Sequence, residues 1–260
     1  MKAPEDPPKP ASTVLIVRDA PQLEVLMVRR HAGMAFGADA WVFPGGKVAP
    51  PDADGVWDDL SDGNYGHYER SLRIAAAREV FEESGLLLAN RADGTAANAD
   101  DCERLGGMRS AVEADPALFM AMLREAGLRL TLDKLIPFAH WITPAFEPRR
   151  FDTHFFLVAA PEKQIARHDG REAVDHSWVE PAAVLAQRRQ GAARLMFPTR
   201  LNLELLMQSG NAAEAERATR ARTVVTVEPV VEVRADGRVL LIPLEAGYGL
   251  SEERLENVMG

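Results

Sequence analysis

The sequence predicts an α/β (α+β) fold in which a mixed β-sheet is packed between helices. The chain has 260 residues, of which 47% are hydrophobic, so it is long enough and apolar enough to bury a full core. Runs with strand character alternate with segments of helical periodicity, which is typical of layered sheets and helices rather than of a helical bundle. The length suits one elaborated domain or a domain with an appendage, and the sequence contains no internal repeat.

Composition and charge argue against several functional classes. The net charge of −9 opposes a general nucleic-acid or anionic-membrane surface, because phosphate-rich partners would be repelled. No stretch has the length of apolar sequence that crosses a bilayer, and residues 1–10 lack the apolar segment of a signal peptide. Cys102 is the single cysteine, which excludes an intrachain disulfide. We therefore expect a cytoplasmic protein without nucleic-acid or membrane partners.

The first part of the chain predicts a tail followed by strands. Residues 1–11 are rich in Pro and charged residues, which predicts a flexible N-terminal tail. Ser12–Arg18 and Leu23–Arg30 have strand character, and the four residues between them favour a hairpin. A short strand at residues 41–46 ends in a Gly-Gly turn, where glycine permits close approach of a ligand. These strands would open the sheet.

The next region combines an irregular segment with a helix. Residues 52–69 are polar and rich in Gly and Asp, which predicts an inserted loop. The periodicity of Ser71–Ser84 predicts a helix, with Ile74, Ala77 and Phe81 on a narrow apolar stripe. One face of this helix should pack against the sheet, while the acidic side chains project from the opposite face.

The remainder of the chain predicts further elements around this unit. A short strand is expected at residues 86–89, followed by a polar loop to Asp101. Pro and Gly mark several of the expected helix ends, and turn residues bound the expected strands. Helices are predicted at residues 102–114, 116–126, 181–190 and 200–208, and strands at residues 135–142, 153–159, 223–233 and 238–243. The last two strands would form a hairpin that extends the sheet.

Three glutamates lie on one face of the predicted helix. Glu79, Glu82 and Glu83 are spaced i, i+3 and i+4, and Arg78 is within i+4 reach of Glu82. Clustered like charges cost stability, so a compensating cation is expected, and carboxylate oxygens suit Mg²⁺ or Mn²⁺. A Gly-Gly turn beside such a helix indicates a site for a metal and a pyrophosphate. The simpler alternative is a solvated acidic helix face.

The order of these residues resembles the Nudix box. That pattern is Gly-x5-Glu-x7-Arg-Glu-U-x-Glu-Glu-x-Gly-U, where U is a bulky aliphatic residue, and residues 78–86 match every fixed position of its second half. Residues 41–48 resemble the strand and loop that precede the helix in this family. The resemblance implies a Nudix-type sheet sandwiched between helices over residues 12–245, with a helical insertion at about residues 100–130, a C-terminal hairpin extension and a tail at residues 246–260.

The resemblance also implies a role for each residue of the site. Arg78 would orient the cluster, and Glu82 and Glu83 would act with it in catalysis. The turn of Gly45 and Gly46 would bind substrate. The implied ligands of Mg²⁺ or Mn²⁺ are one backbone carbonyl and three carboxylates, namely Gly46, Glu79, Glu82 and Glu83.

The first half of the box departs from the family pattern. Gly46 and Arg78 lie much farther apart than the pattern allows between its first Gly and its Arg, so the segment 52–69 is an insertion within the box. Asp52 stands six residues after Gly46, where the first Glu is expected. Counting back from Arg78 instead gives Arg70, with Glu69 one residue away. From the sequence alone, either count can give the residue that stands for the first Glu of the box.

Residues further along resemble the acyl-coenzyme A diphosphatase branch of the Nudix family. They are the segment 149–156 and the triplet Phe197-Pro198-Thr199. Arg149 and Arg150 would bind substrate phosphates through bidentate hydrogen bonds. The alternative for both arginines is salt bridging on an acidic surface.

Other polar residues are candidates for the general base. Nudix proteins often place a further carboxylate in a later loop, and Glu172 is our first choice, with Asp175 and Glu147 as competitors. His140 and His154 lie in segments with strand character, where a packed or hydrogen-bonded histidine is favoured over a catalytic base.

The function implied is metal-dependent hydrolysis of the pyrophosphate in a nucleoside diphosphate linked to another moiety. Coenzyme A or an acyl-CoA is the expected substrate, and the products would be 3′,5′-ADP and a 4′-phosphopantetheine derivative. The alternative substrate class is ADP-ribose or NAD(H), and the alternative of a different kind is a nucleotide-sensing binder without catalysis. The expected partners are this small-molecule substrate and a second copy of the chain in a homodimer.

Overall fold

The computed structural model of the chain describes residues 7–30, 39–167 and 173–258. Most of its strands belong to one mixed sheet, and the others form two small sheets. The strands are β1 (Lys9–Asp19), β2 (Leu23–Arg30), β3 (Ala40–Val42), β4 (Gly45–Lys47), β5 (Ala89–Arg91), β6 (Leu128–Leu130), β7 (Ile136–Ile142), β8 (Phe151–Ala159), β9 (Ala173–Val179), β10 (Arg194–Leu195), β11 (Thr226–Val227), β12 (Val230–Arg234), β13 (Gly237–Leu241) and β14 (Glu252–Arg254).

Strand β1 is the centre of the main sheet, whose order is β10-β3-β2-β1-β8-β7-β11. Along one edge β1 runs parallel to β8 over nearly its whole length. Along its other edge it pairs antiparallel with β4 near its start and with β2 at its end. Strand β9 pairs with β2. The sheet therefore contains both parallel and antiparallel pairs, as the sequence predicts.

Helices cover both faces of this sheet. They are α1 (Trp57–Leu60), α2 (His67–Ser84), α3 (Ala99–Gly106), α4 (Arg109–Ala114), α5 (Ala117–Ala126), α6 (Pro181–Arg189), α7 (Phe197–Leu206), α8 (Ala212–Ala221) and α9 (Leu255–Val258). Among the helices of the described residues, none combines the length and the apolar character needed to cross a membrane.

The two faces of β1 belong to two separate cores. Successive side chains of a strand point to opposite faces of the sheet. Val14 and Ile16 lie in a core that includes Phe81 of α2, whereas Leu15 and Val17 lie in a core that includes residues of α6, α7 and α8. The predicted mixed sheet between layers of helices is therefore confirmed.

The segment predicted as an irregular loop is more ordered than its composition indicates. It contains a 3₁₀ turn at Pro50–Ala53 and helix α1, and Trp57 is buried. Phe119 of α5 lies between Trp57 and Phe81, with ring centroids 6.0 and 5.8 Å apart. Helices α3 to α5 occupy the region predicted as a helical insertion. Buried aromatic side chains thus join both segments to α2, which polar composition alone did not reveal.

The N-terminal boundaries differ from the predictions. Strand β1 begins at Lys9 rather than Ser12, because Lys9 and Pro10 already pair with the start of β8. The flexible tail was predicted to reach residue 11, but strand β1 already begins at Lys9. Helix α2 begins at His67, one turn before the predicted start at Ser71.

The C-terminal segment also differs from the prediction. The predicted hairpin is present as β12 and β13, but it pairs with β14 in its own sheet instead of extending the main one. Strand β14 and helix α9 lie in the segment predicted as a tail, and Leu255 is buried in the core. Strand β9 and helix α8 were not predicted. The signal for α8 was Asn211, whose side chain caps the helix by accepting a hydrogen bond from the backbone of Glu214.

Candidate active site

Helix α2 is enclosed on both of its faces. Its apolar side packs against the sheet and the neighbouring helices, with Ile74 and Phe81 fully buried. On its acidic side Glu82 and Glu83 are each only 8% exposed, and Arg78 is 3% exposed. These residues are not a solvated helix face, so the simpler interpretation of the charge pattern is wrong.

Arg78 is the centre of a buried hydrogen-bond network. Its Nε and Nη2 atoms donate to the two carboxylate oxygens of Asp52, each at 2.9 Å. Its Nη1 donates at 2.9 Å to both Glu79 and Glu82, and its Nη2 also donates to the backbone carbonyl of Lys47 at 2.8 Å. Arg78 thereby fixes the positions of two of the predicted metal ligands.

Asp52 occupies the position that the sequence left open. It is 1% exposed, binds Arg78 through both oxygens, and accepts a further hydrogen bond from the backbone of Ala49. Glu69 pairs instead with Arg73, and Arg70 donates to the carbonyl of Tyr65. The counterpart of the first glutamate in the box is therefore the shorter Asp52, which lies at the start of the inserted segment.

Three carboxylates of the acidic cluster, those of Asp52, Glu79 and Glu82, surround the guanidinium of Arg78. Burial raises the pKa of Glu79 to about 7, with the attraction of Arg78 opposing this shift and the repulsion of Glu82 adding to it. Burial also raises the pKa of Glu82, again against the attraction of Arg78. One guanidinium thus serves three carboxylates in a site that also contains Glu83. This set of buried, hard oxygen donors fits a divalent cation.

The Gly-Gly turn lies directly against this cluster. The backbone N–H of Gly45 donates to the Oε2 atom of Glu83 at 3.1 Å. A Cβ atom on Gly46 would lie 2.4 Å from the Oε1 atom of Glu79, closer than real Cβ atoms come. A Cβ atom on Gly45 would similarly collide with the carbonyl of Ser12. Gly45 is therefore required for the close approach of β4 to β1, and a side chain at Gly46 would have to displace the Glu79 carboxylate.

An apolar cavity of about 460 Å³ lies on the face of the sheet opposite to α2. Thr13 lines it, and the Oγ1 atom of Thr13 is 2.8 Å from the place where a Cβ of Gly45 would be. The cavity therefore extends to the residue of β1 that pairs with Gly45. Its walls are rich in aromatic side chains, namely Phe43, Trp141, Phe146, Phe151, Phe155 and Phe197.

Of the two predicted phosphate-binding arginines, Arg150 has described side-chain contacts, and these are with residues other than the glutamates of α2. Arg150 donates to the carbonyl of Thr143 at 3.0 Å and forms an ion pair with Glu228, so its contacts are those of the salt-bridge alternative. Arg149 is exposed. The structure thus gives Arg150 a role in holding the loop between β7 and β8, and it leaves the phosphate role of both arginines a prediction.

Of the three candidate general bases, the structure describes the side chain of one, Glu147. Glu147 lines the apolar cavity. Glu172 lies outside the described residues. Asp175 lies in β9, where its backbone pairs with Arg29, and its side chain is not among those described.

The fold and the buried cluster around Arg78 define a Nudix hydrolase, an enzyme that acts on acid anhydrides of phosphorus. The chain belongs to this family, since it matches the NUDT19 Nudix domain over residues 68–204, more than half of its length. It also matches the NUDIX domain over residues 8–100.

Individual relatives agree with this classification. Acyl-coenzyme A diphosphatase NUDT19 of Xenopus laevis is 26% identical, over 85% of this chain and 70% of the frog protein. Its human namesake is 27% identical, over 73% of this chain and 54% of the human protein, so the chain spans about half of that relative. The crystal structure of a NUDIX hydrolase from Alicyclobacillus acidocaldarius superposes with a TM-score of 0.70 at 28% identity, covering 82% of this chain and 97% of that one.

Proposed function

We propose that this protein hydrolyses the pyrophosphate of coenzyme A or an acyl-CoA in a reaction that depends on Mg²⁺ or Mn²⁺. The products would be 3′,5′-ADP and a 4′-phosphopantetheine derivative. The observation that carries the proposal is the buried carboxylate cluster on α2, separated by the Gly45 strand from a cavity with aromatic walls. A single substrate would then lie across the Gly45 strand, with its pyrophosphate at the cluster and an apolar or aromatic group in the cavity.

The residues of the cluster would have distinct roles. Glu79, Glu82, Glu83 and the carbonyl of Gly46 would hold the divalent ion, which Nudix hydrolases generally use and which would neutralise phosphate charge and activate water. Arg78 orients Glu79 and Glu82 through its two hydrogen bonds of 2.9 Å. Placing these donors before substrate arrives lowers the reorganisation needed in the transition state.

The cavity supports a nucleotide substrate with a bulky partner group. Its volume of about 460 Å³ and its aromatic walls suit an adenine ring or the apolar part of an acylated pantetheine. The names of the frog and human relatives favour coenzyme A derivatives for this chain as well. Glu147 lines this cavity and, with Glu172, is a candidate for the general base.

ADP-ribose or NAD(H) is the second candidate substrate class, because the aromatic walls suit the adenine that all these compounds share. A sensor that binds nucleotide without cleaving it is disfavoured, since binding alone does not require three mutually repelling glutamates, two of them only 8% exposed. The proposal also includes a cytoplasmic location and a homodimer, and light scattering of the purified protein tests the latter.

The test is a substrate panel assayed with Mg²⁺ or Mn²⁺. Coenzyme A, acetyl-CoA, ADP-ribose, NADH and a nucleoside triphosphate are incubated with the protein, and the products are separated by chromatography. We expect the highest kcat/KM for coenzyme A or acetyl-CoA, with release of 3′,5′-ADP, and no turnover after chelation of the metal. If kcat/KM is higher for ADP-ribose or NADH than for coenzyme A and acetyl-CoA, the proposed substrate is wrong and the second substrate class is correct.

A further inference from the structure

A second group of metal-binding side chains lies on the sheet, away from the glutamates. His140 of β7 and His154 of β8 are direct cross-strand partners, and their rings stack with centroids 4.0 Å apart. Asp152 is two residues before His154 in the same strand, so its side chain projects from the same face of the sheet. Three residues with metal-ligating atoms therefore converge on one patch.

The distances within this group are those of a ligand set. The Nε2 atom of His140 contacts the Oδ1 atom of Asp152, and the Nε2 atom of His154 is 3.6 Å from that same oxygen. One ligating atom from each residue lies within 4.8 Å of the other two. Ligands of a tetrahedral zinc ion, bound at about 2.0 to 2.2 Å, are separated by roughly 3.3 Å, so small rotations of these side chains would suffice.

The outer atoms of two of these ligands are held by further residues. The Nδ1 atom of His140 is 2.8 Å from the hydroxyl of Thr226. The hydroxyl of Tyr68 donates to the Oδ2 atom of Asp152 at 3.0 Å. In the metal-bound form such partners would favour the histidine tautomer protonated at Nδ1, which leaves Nε2 for the ion, and they would orient the carboxylate, as they do around metal ligands in proteins.

We propose that His140, Asp152 and His154 form a second metal site, which binds Zn²⁺ or a similar borderline divalent ion. Imidazole nitrogens suit such ions better than they suit Mg²⁺. The three side chains are 17%, 24% and 26% exposed, which leaves one side open to a water ligand. On binding, the His140 ring would change to the tautomer protonated at Nδ1: the proton on Nε2 passes to solvent water, Nδ1 takes up a proton and donates a hydrogen bond to the hydroxyl of Thr226, and the freed Nε2 binds the ion.

This site is distinct from the predicted catalytic cluster. Tyr68, which contacts Asp152, lies in the first turn of α2, whereas Glu79 lies near the other end of that helix. At a rise of 1.5 Å per residue, Tyr68 and Glu79 are about 16 Å apart along the helix. The bound ion would connect β7 to β8 and, through Tyr68, to the first turn of α2. Binding of this ion would therefore raise the free energy of unfolding of the protein, and it would leave the chemical step of hydrolysis unchanged.

Metal binding by the full-length protein tests this proposal. The protein is freed of metal with a chelator, and Zn²⁺ is titrated against a chelating dye in the presence of excess Mg²⁺. Co²⁺ is then bound instead, and its visible absorption reports the geometry and nitrogen ligation of the site. We expect one tightly bound Zn²⁺ and at least about tenfold weaker binding in the His154→Gln and Asp152→Asn variants.

Two control variants localise the ion. His67→Gln removes an exposed histidine next to Tyr68 and should retain wild-type affinity for Zn²⁺. Glu82→Gln should also retain it, because that residue belongs to the other site. Circular dichroism checks that each variant folds. Should His154→Gln not fold, Thr226→Val removes only an outer partner and should weaken Zn²⁺ binding severalfold. Equal Zn²⁺ affinity in the wild type and the ligand variants, or loss of affinity only in Glu82→Gln, would overturn the proposal.

Discussion

Arg78 determines the arrangement of the acidic side chains in the site. It is almost completely buried and contacts Asp52, Glu79 and Glu82 through all three of its guanidinium nitrogens. Burial opposes the charge of Arg78, but the hydrogen bonds with Asp52 and the attraction of the glutamates outweigh this effect and raise its pKa. Asp52 and Arg78 therefore stabilise each other, and each would leave an uncompensated buried charge without its partner.

Replacing Asp52 tests this pairing. We expect Asp52→Asn to lower the free energy of unfolding by about 3 kcal/mol, since breaking a buried ion pair costs about 3 to 5 kcal/mol and asparagine keeps part of the hydrogen bonding. Hydrolysis should fall as well, because Arg78 would no longer hold Glu79 and Glu82 in place. Urea denaturation and steady-state kinetics measure the two effects.

Glu69→Gln is the matched control for this change. Glu69 is the other residue that the sequence offered for the same role, but its side chain is 50% exposed and pairs with Arg73. We expect a change in stability within about 0.5 kcal/mol and near wild-type turnover. If Glu69→Gln lost stability and turnover while Asp52→Asn kept both, the assignment of Asp52 as the counterpart of the first glutamate in the box would be contradicted.

At the scale of the elements, the site depends on the contact between β4 and α2. Gly46 lies so close to Glu79 that any side chain there must displace the carboxylate or the strand. A side chain at Gly45 would collide with the backbone carbonyl of Ser12 in β1. The glycines therefore set the position of a proposed metal ligand, in addition to any role of their own in binding.

Substituting Gly46 by alanine tests this contact. The Cβ atom would lie 2.4 to 2.6 Å from the carboxylate atoms of Glu79. We expect kcat to fall at least about tenfold and the concentration of Mg²⁺ needed for half activity to rise, because the proposed ligand is displaced. Gly55→Ala is the control, since no atom lies within 4 Å of its Cβ position. Unchanged metal dependence in Gly46→Ala would contradict the proposed role of Glu79.

Sequence patterns predicted the elements of this site unevenly. The helix and its acidic face were predictable, because the spacing of Glu79, Glu82 and Glu83 is a local property of the chain. The burial of that face was not, since it depends on β4 and on Asp52, which contact α2 from positions distant in sequence. The position of Asp52 was one of two open assignments, because an insertion separates it from Arg78.

At the scale of the whole molecule, the sheet separates two functional surfaces. Ser12 faces α2, where its hydroxyl donates to the carbonyl of Leu72, and Thr13 faces the apolar cavity. The alternation of side chains along β1 thus places the glutamates and the cavity on opposite faces, with the Gly45 strand between them. The family resemblance predicted the sandwich, but the cavity depends on residues from many distant segments and had no local signal.

The central claim is that the buried glutamates of α2 carry metal-dependent pyrophosphate hydrolysis. The most direct measurement is kcat with Mg²⁺ and coenzyme A for Glu82→Gln and Glu83→Gln, with Glu69→Gln as the control on the same helix. The claim predicts a loss of about 100-fold or more in each of the first two variants, equivalent to the several kcal/mol that metal catalysis supplies, and near wild-type kcat in the control. Wild-type kcat in both Glu82→Gln and Glu83→Gln would contradict the claim.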